Sequence, residues 1–203
     1  MIKDPNNTYI DDTVTLEDNV TIYPNVTIEG DSYIGENTVI YPGSYIKNAR
    51  IGKNNIIYTS YIVGSELGDN NQIGPYSNIR EGNIIGNNNR IGDFIELKEN
   101  TIGNGNKIPH LSFVGNANVK NDVHMGCGTI TVNKRANSKT GERVQTIIED
   151  NAFIGCNANL LAPVTIGRNS VVAAGSTITE DVPDYSLAIA RERQTNKERY
   201  YEE

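Results

Sequence analysis

Leu67 to Leu97, LGDNNQIGPYSNIREGNIIGNNNRIGDFIEL, places an aliphatic residue at every sixth position: Leu67, Ile73, Ile79, Ile85, Ile91 and Leu97. A period of six matches neither the 3.6 of a helix nor the two-residue alternation of a half-buried strand. It matches a coil in which each hexapeptide makes one short side and turns a corner, so that the aliphatic residues stack inward, rung upon rung. The same spacing runs towards the N-terminus through Ile10, Leu16, Ile22, Ile28, Ile34, Ile40 and Ile46, and after a slip through Ile51 and Ile57. Towards the C-terminus it runs through Ile148, Ile154, Leu160, Ile166, Val172 and Ile178. Gly and Asn fall between these positions, where a corner needs φ > 0. Three sides make a triangular coil with rungs about 4.8 Å apart, set by strand hydrogen bonding.

Composition agrees with a narrow interior. Of 203 residues only 37% are hydrophobic, with no Trp and three Phe. That is lean for a thick globular core and ample for a solenoid. The formal net charge of -7 argues against a nucleic-acid or acidic-membrane surface. Two cysteines make no disulfide framework. No apolar run approaches the ~20 residues of a membrane span. The opening MIKDPNNTYI lacks a signal-peptide core, so the expectation is a cytoplasmic chain.

Breaks in the period mark other work. The largest is 133–146, NKRANSKTGERVQT, polar and basic in an acidic chain. It reads either as a solvated surface loop or as a flap carrying cations over a site. The repeat stops after Ile178, and the expected division is a β-helix over 1–183 with 133–146 protruding, followed by a tail over 184–203. Arg80 and Lys98 lie eighteen residues apart, three hexapeptides, so they are expected to stack on neighbouring rungs. Both read as solvated charges or as a grip on an anion such as a phosphate. His110, two positions after Ile108, reads as a polar corner residue or as a general base. A zinc hydratase site needs three protein ligands, and the chain has two histidines, so no metal is expected.

IGPYSNIREG, GDFIELKENTIG, KIPHLSFVGNANV, MGCGTITVN and NLLAPVTIGRNSVVAAGSTITEDVP, closed by LAIARERQTNKE, resemble the acetyltransferase half of the bacterial bifunctional enzymes that make UDP-N-acetylglucosamine. The resemblance runs from about Asp4 to Lys197. It implies an all-β fold, a left-handed parallel β-helix of hexapeptide repeats, although parallel crossovers are otherwise right-handed. It implies a cytoplasmic homotrimer moving acetyl from acetyl-coenzyme A to the amine of glucosamine 1-phosphate, in cell-wall precursor synthesis. His110 matches the base, and Arg80 and Lys98 match the residues holding the sugar phosphate. The backbone N–H at Cys127 matches the oxyanion donor. Cys127, Cys156, Ala174 and Arg191 match the coenzyme site, and both cysteines read equally as small corner residues. Asn133 and Arg143 match further acceptor contacts. The nucleotide-binding half of those enzymes has no counterpart in the sequence.

The acceptor side departs from the family pattern. Phe113 stands where the family carries tyrosine, His124 where it carries asparagine, and Lys134 where it carries an aromatic residue, while the loop is longer. The expectation is therefore firmer for the coenzyme than for the sugar. Another, nucleotide-linked amino sugar as acceptor, or a silent trimeric scaffold, are the alternatives.

Overall fold

The structure is a computed structural model that describes residues 1–134 and 142–198. It is a parallel β-helix. Three sheets of ten, nine and ten strands run its length, beginning at Tyr9–Ile10, Thr15–Leu16 and Thr21–Ile22 and here called the first, second and third sheets. Every pairing between the strands of these sheets is parallel. No helix among the described residues is long and apolar enough to cross a membrane.

Each sheet sends one file of aliphatic residues inward. The first contributes Ile28, Ile46, Ile62, Ile79, Leu97 and Val114; the third contributes Ile22, Ile40, Ile57, Ile73, Ile91, Ile108 and Met125, all fully buried. Burying one such side chain stabilises the fold by about 1.5–3 kcal/mol, so a lean composition suffices when nearly every aliphatic is spent inside. The period is not uniform. Ile46 to Ile51, Ile57 to Ile62 to Leu67, Leu97 to Ile102, and Val114 to Val119 are steps of five between buried residues. These steps are the slips in the hexapeptide count, and the parallel register survives them.

Polar residues buried at the inner corners also stack. Asn55, Asn71, Asn89 and Asn106 form a ladder in which each side-chain carbonyl accepts from the backbone N–H one coil on, at 2.8 Å throughout. Each Nδ2 donates to a backbone carbonyl at 2.9–3.0 Å. An unpaired amide here would cost a few kcal/mol; paired, the ladder locks the coils in register. The outer corners sit at positive φ and are mostly Asn or Gly, as at Asn37, Asn54, Asn70, Asn88 and Gly105.

The segment 133–146 leaves the coil between Thr131 and Ile148. Its base is closed by an antiparallel bridge between Lys134 and Arg143 and by Val144 N–H donating to the Asn133 carbonyl at 3.0 Å. Residues 135–141, and 199–203 at the end of the tail, lie outside the described residues. The coil's ladder reaches Leu187–Ala188, which pairs with Val171–Val172 in the third sheet.

Candidate active site

Two groups of the expected residues assemble on adjoining parts of the coil, with His110 at the junction. The first lies at the exit of the first sheet. Ile79 pairs in register with Leu97, so Arg80 and Lys98, the next residues, stand on neighbouring rungs as the spacing predicts. Lys98 in turn pairs with Gly115. A side chain at Gly115 would collide with the Phe113 ring and with the Asn133 amide, so the bare backbone there lets Phe113 and Asn133 converge beside Lys98. Asn133 Nδ2 donates to Asn116 Oδ1 at 3.1 Å. Arg143, from the base of the protruding segment, reaches the same Asn116 oxygen at 3.4 Å.

The cations here are not bare. Arg80 donates to Glu96 at 2.8 Å, and Lys98 and Arg143 each lie 3.5 Å from Glu99. The Arg80 and Arg143 pairs are exposed and contribute about 0.2–1 kcal/mol each, whereas the Lys98 side chain is only 18% exposed. A dianionic phosphate offers more charge and more acceptor oxygens than either carboxylate. Glu96 and Glu99 are neighbours of the cluster that the sequence reading did not single out. The signal was present: Glu96 precedes Leu97 and Glu99 follows Lys98, on the same rung.

The second group runs along the corner between the third and first sheets. His110, Cys127, Cys156 and Ala174 each stand two residues after the inward positions Ile108, Met125, Ile154 and Val172, and these rungs are in register. Asn157 N–H donates to the Cys127 carbonyl at 2.7 Å and Gly175 N–H to the Cys156 carbonyl at 2.8 Å, which ties the corner turns together. Both cysteines are free, one half-exposed and one exposed. Arg191 follows at the end of this file, its Cδ 3.8 Å from where a side chain on Gly175 would begin. The result is a track of small side chains leading from an imidazole to a guanidinium.

His110 ends the strand Lys107–His110, which pairs with Arg90–Asp93. Its Nδ1 is in close contact with Asp93 Oδ1. Asp93 was not singled out from the sequence, although it follows Ile91 at the same offset by which His110 follows Ile108. The His110 side chain is 49% exposed.

His124 stands apart from the cation cluster. It lies on the third sheet with Lys107 as its register neighbour, and its ring stacks on Phe153 at 4.9 Å between centroids. Burial, aided by Lys107, holds its pKa below the ordinary value of 6.5, so at neutral pH the ring is uncharged.

A cavity of about 300 Å³ lies at the C-terminal end of the coil, lined by residues 177–183 and 186–190, and includes none of these side chains.

The chain's sequence matches the family model of the GMPPB C-terminal domain over residues 5–110, more than half its length, and that of the bacterial transferase hexapeptide over residues 145–180. The chain belongs to this family of hexapeptide-repeat domains. Its coil is accordingly the left-handed parallel β-helix of that class. It is 48% identical to the bifunctional protein GlmU of Caldanaerobacter subterraneus over 202 residues, covering 100% of this chain and 43% of the relative. It is 49% identical to the bifunctional protein GlmU of Geobacillus sp. over 98% of this chain and 42% of that one. The chain thus spans less than half the length of these relatives, and corresponds to their C-terminal part. Among solved structures, the UDP-N-acetylglucosamine acyltransferase of Francisella novicida superposes with a TM-score of 0.63 at 20% identity, over 94% of this chain and 67% of that one. The Arabidopsis UDP-N-acetylglucosamine acyltransferase superposes with a TM-score of 0.58 at 21% identity, over 90% and 63%. Both carry the same fold.

Proposed function

We propose that this domain transfers an acetyl group from acetyl-coenzyme A to the amine of an amino-sugar phosphate, glucosamine 1-phosphate foremost, in the cytoplasmic synthesis of UDP-N-acetylglucosamine. The observation that carries this reading is the position of His110. It sits between a cation cluster suited to a sugar phosphate and a small-residue track suited to a pantetheine arm. Phe113 opens the strand that follows His110 and leads to Gly115, the register neighbour of Lys98.

In the reaction, His110 Nε2 takes a proton from the attacking amine. The amine nitrogen bonds to the thioester carbonyl carbon, and the Cys127 N–H serves the oxyanion. The C–S bond then breaks, and the imidazolium returns its proton to the departing thiolate. Arg80 and Lys98 hold the phosphate, with Asn133 and Arg143 beside it, and Arg191 meets the coenzyme's phosphates. The similarity to GlmU proteins supports the acceptor named. One observation favours a second reading, another amino sugar: the Phe113 ring faces the acceptor without a hydroxyl. Thiol release from acetyl-coenzyme A, with glucosamine 1-phosphate tested against a panel of amino sugars, separates the two. Silence across the panel with coenzyme still bound would refute both.

Arg80→Ala is expected to raise KM for the phosphate acceptor by about tenfold to a hundredfold, the value of one charge-assisted hydrogen bond. KM for the coenzyme should stay unchanged; an effect confined to the coenzyme would contradict the phosphate role.

The working unit in this reading is a homotrimer. Three bulky residues, Tyr76, Phe94 and Leu111, occupy outer corners of consecutive coils beside His110 at φ of 58°, 54° and 48°. Tyr76 and Phe94 stack at 5.5 Å, and all three are more than half exposed. Large side chains are disfavoured at positive φ, so this apolar ridge is held at a local cost and supports burial against a neighbouring copy that walls the site. Phe94→Asn suits the backbone and removes the ridge's centre. Its expected result is a folded chain that assembles less tightly, read as a lower mass by light scattering at micromolar concentration. An unchanged mass would place the contact elsewhere.

A further inference from the structure

We infer that Asp93 is a positioning residue that fixes the tautomer and the orientation of His110, leaving the Nε2 lone pair directed outward as the base. The inference rests on the acetyl-transfer reading above and goes beyond it by adding a residue one coil away from the base. Most strands of this coil are two or three residues long, but Arg90–Asp93 and Lys107–His110 each run to four. Their ladder continues through the point where other strands have already turned, pairing Asp93 with His110 in register. The fold thereby sets two side chains from neighbouring coils side by side at the corner. Leu111 N–H donating to the Asp93 carbonyl at 3.0 Å closes the far side of the arrangement.

Asp93 Oδ1 meets His110 Nδ1 directly. The hydrogen bond from the ring, foremost, and the backbone hold the Asp93 carboxyl below its ordinary pKa against the opposing effect of burial, so it is ionised and accepts only. An ionised acceptor at Nδ1 requires the proton to sit on Nδ1, which places the lone pair on Nε2. A free imidazole prefers the opposite arrangement, and a base presenting N–H to the amine cannot take its proton. Among the described residues, the ionisable side chains around the pair include Arg90 and Lys107, three residues back on the two strands, Tyr76 at the corner of the preceding coil and Cys127 on the next coil.

The test uses the whole chain labelled with ¹⁵N-histidine. Two histidines give two ring spin systems, and His124→Gln assigns them. The expected spectrum of the unaltered chain near pH 8 shows His110 as the Nδ1–H tautomer. In Asp93→Asn the ring should move to the Nε2–H form or a mixture, and turnover should fall at least tenfold with both KM values within about twofold. An Nε2–H ring in the unaltered chain, or a ring unmoved by Asp93→Asn, would overturn the inference. So would a changed tautomer with undiminished turnover. The tautomer is read without any reaction, so an unaltered chain inactive on every acceptor would count against the acetyl-transfer reading alone.

Discussion

His110→Ala is expected to lose about a hundredfold to ten-thousandfold in turnover, the contribution typical of a positioned general base, while still binding the coenzyme and assembling normally. The separation follows from where the side chain sits. It is half exposed at a corner, and the inward contacts of its strand are made by Ile108, which is untouched. Stability should therefore change by no more than about 0.5 kcal/mol. The track through Cys127, Cys156 and Ala174 is on later coils and keeps its shape. Single-turnover thiol release, with coenzyme affinity measured separately by calorimetry, checks both halves. Unchanged turnover would remove His110 from the mechanism and with it the proposed function; loss of coenzyme binding as well would show that the residue shapes the track.

The second large effect is expected at Gly92, which holds no reactive group. It lies between Ile91 and Asp93, buried, and a methyl group added there would run into the carbonyl of Pro109 on the adjoining strand. That carbonyl is backbone and cannot swing aside. Gly92→Ala must therefore push apart the two four-residue strands that hold Asp93 against His110. Overpacking of this kind costs about 1–3 kcal/mol, so the urea midpoint should fall, and turnover should drop at least tenfold even under conditions where the chain remains folded. A midpoint and a turnover both equal to those of the unaltered chain would mean that the corner yields freely, and that close strand approach does not govern the site.

Much of this arrangement is legible in the sequence. The trains through Ile10 to Ile46, Leu67 to Leu97 and Ile148 to Ile178 mark inward residues because only a coil buries every sixth side chain. The stacking of Arg80 on Lys98 follows from the same arithmetic. The steps of five hide Ile62, Ile102 and Val119, because shortening a corner by one residue leaves the stacking intact while breaking the count. His124 illustrates a different limit. Its match to an acceptor position gave no hint that its ring would lie flat on Phe153, a contact made between rungs twenty-nine residues apart in sequence, across the protruding segment. Asp93 and Gly92 were hidden for a third reason: their importance depends on strands that overrun their usual length, and strand length is set by pairing partners rather than by local composition.

The register of the coils also acts as a ruler. Along the corner that carries Asp93, His110, Cys127, Cys156 and Ala174, successive positions repeat at the strand spacing of about 4.8 Å. Distances between groups on this corner are thus quantised in whole rungs and owe little to side-chain packing. A reactive pair can be shifted up or down the coil by exchanging residues at the same offset on other rungs, which changes its separation from the Arg191 end in fixed increments without redesigning the core. Acyl chains of different lengths could be measured off on such a scale, one rung at a time.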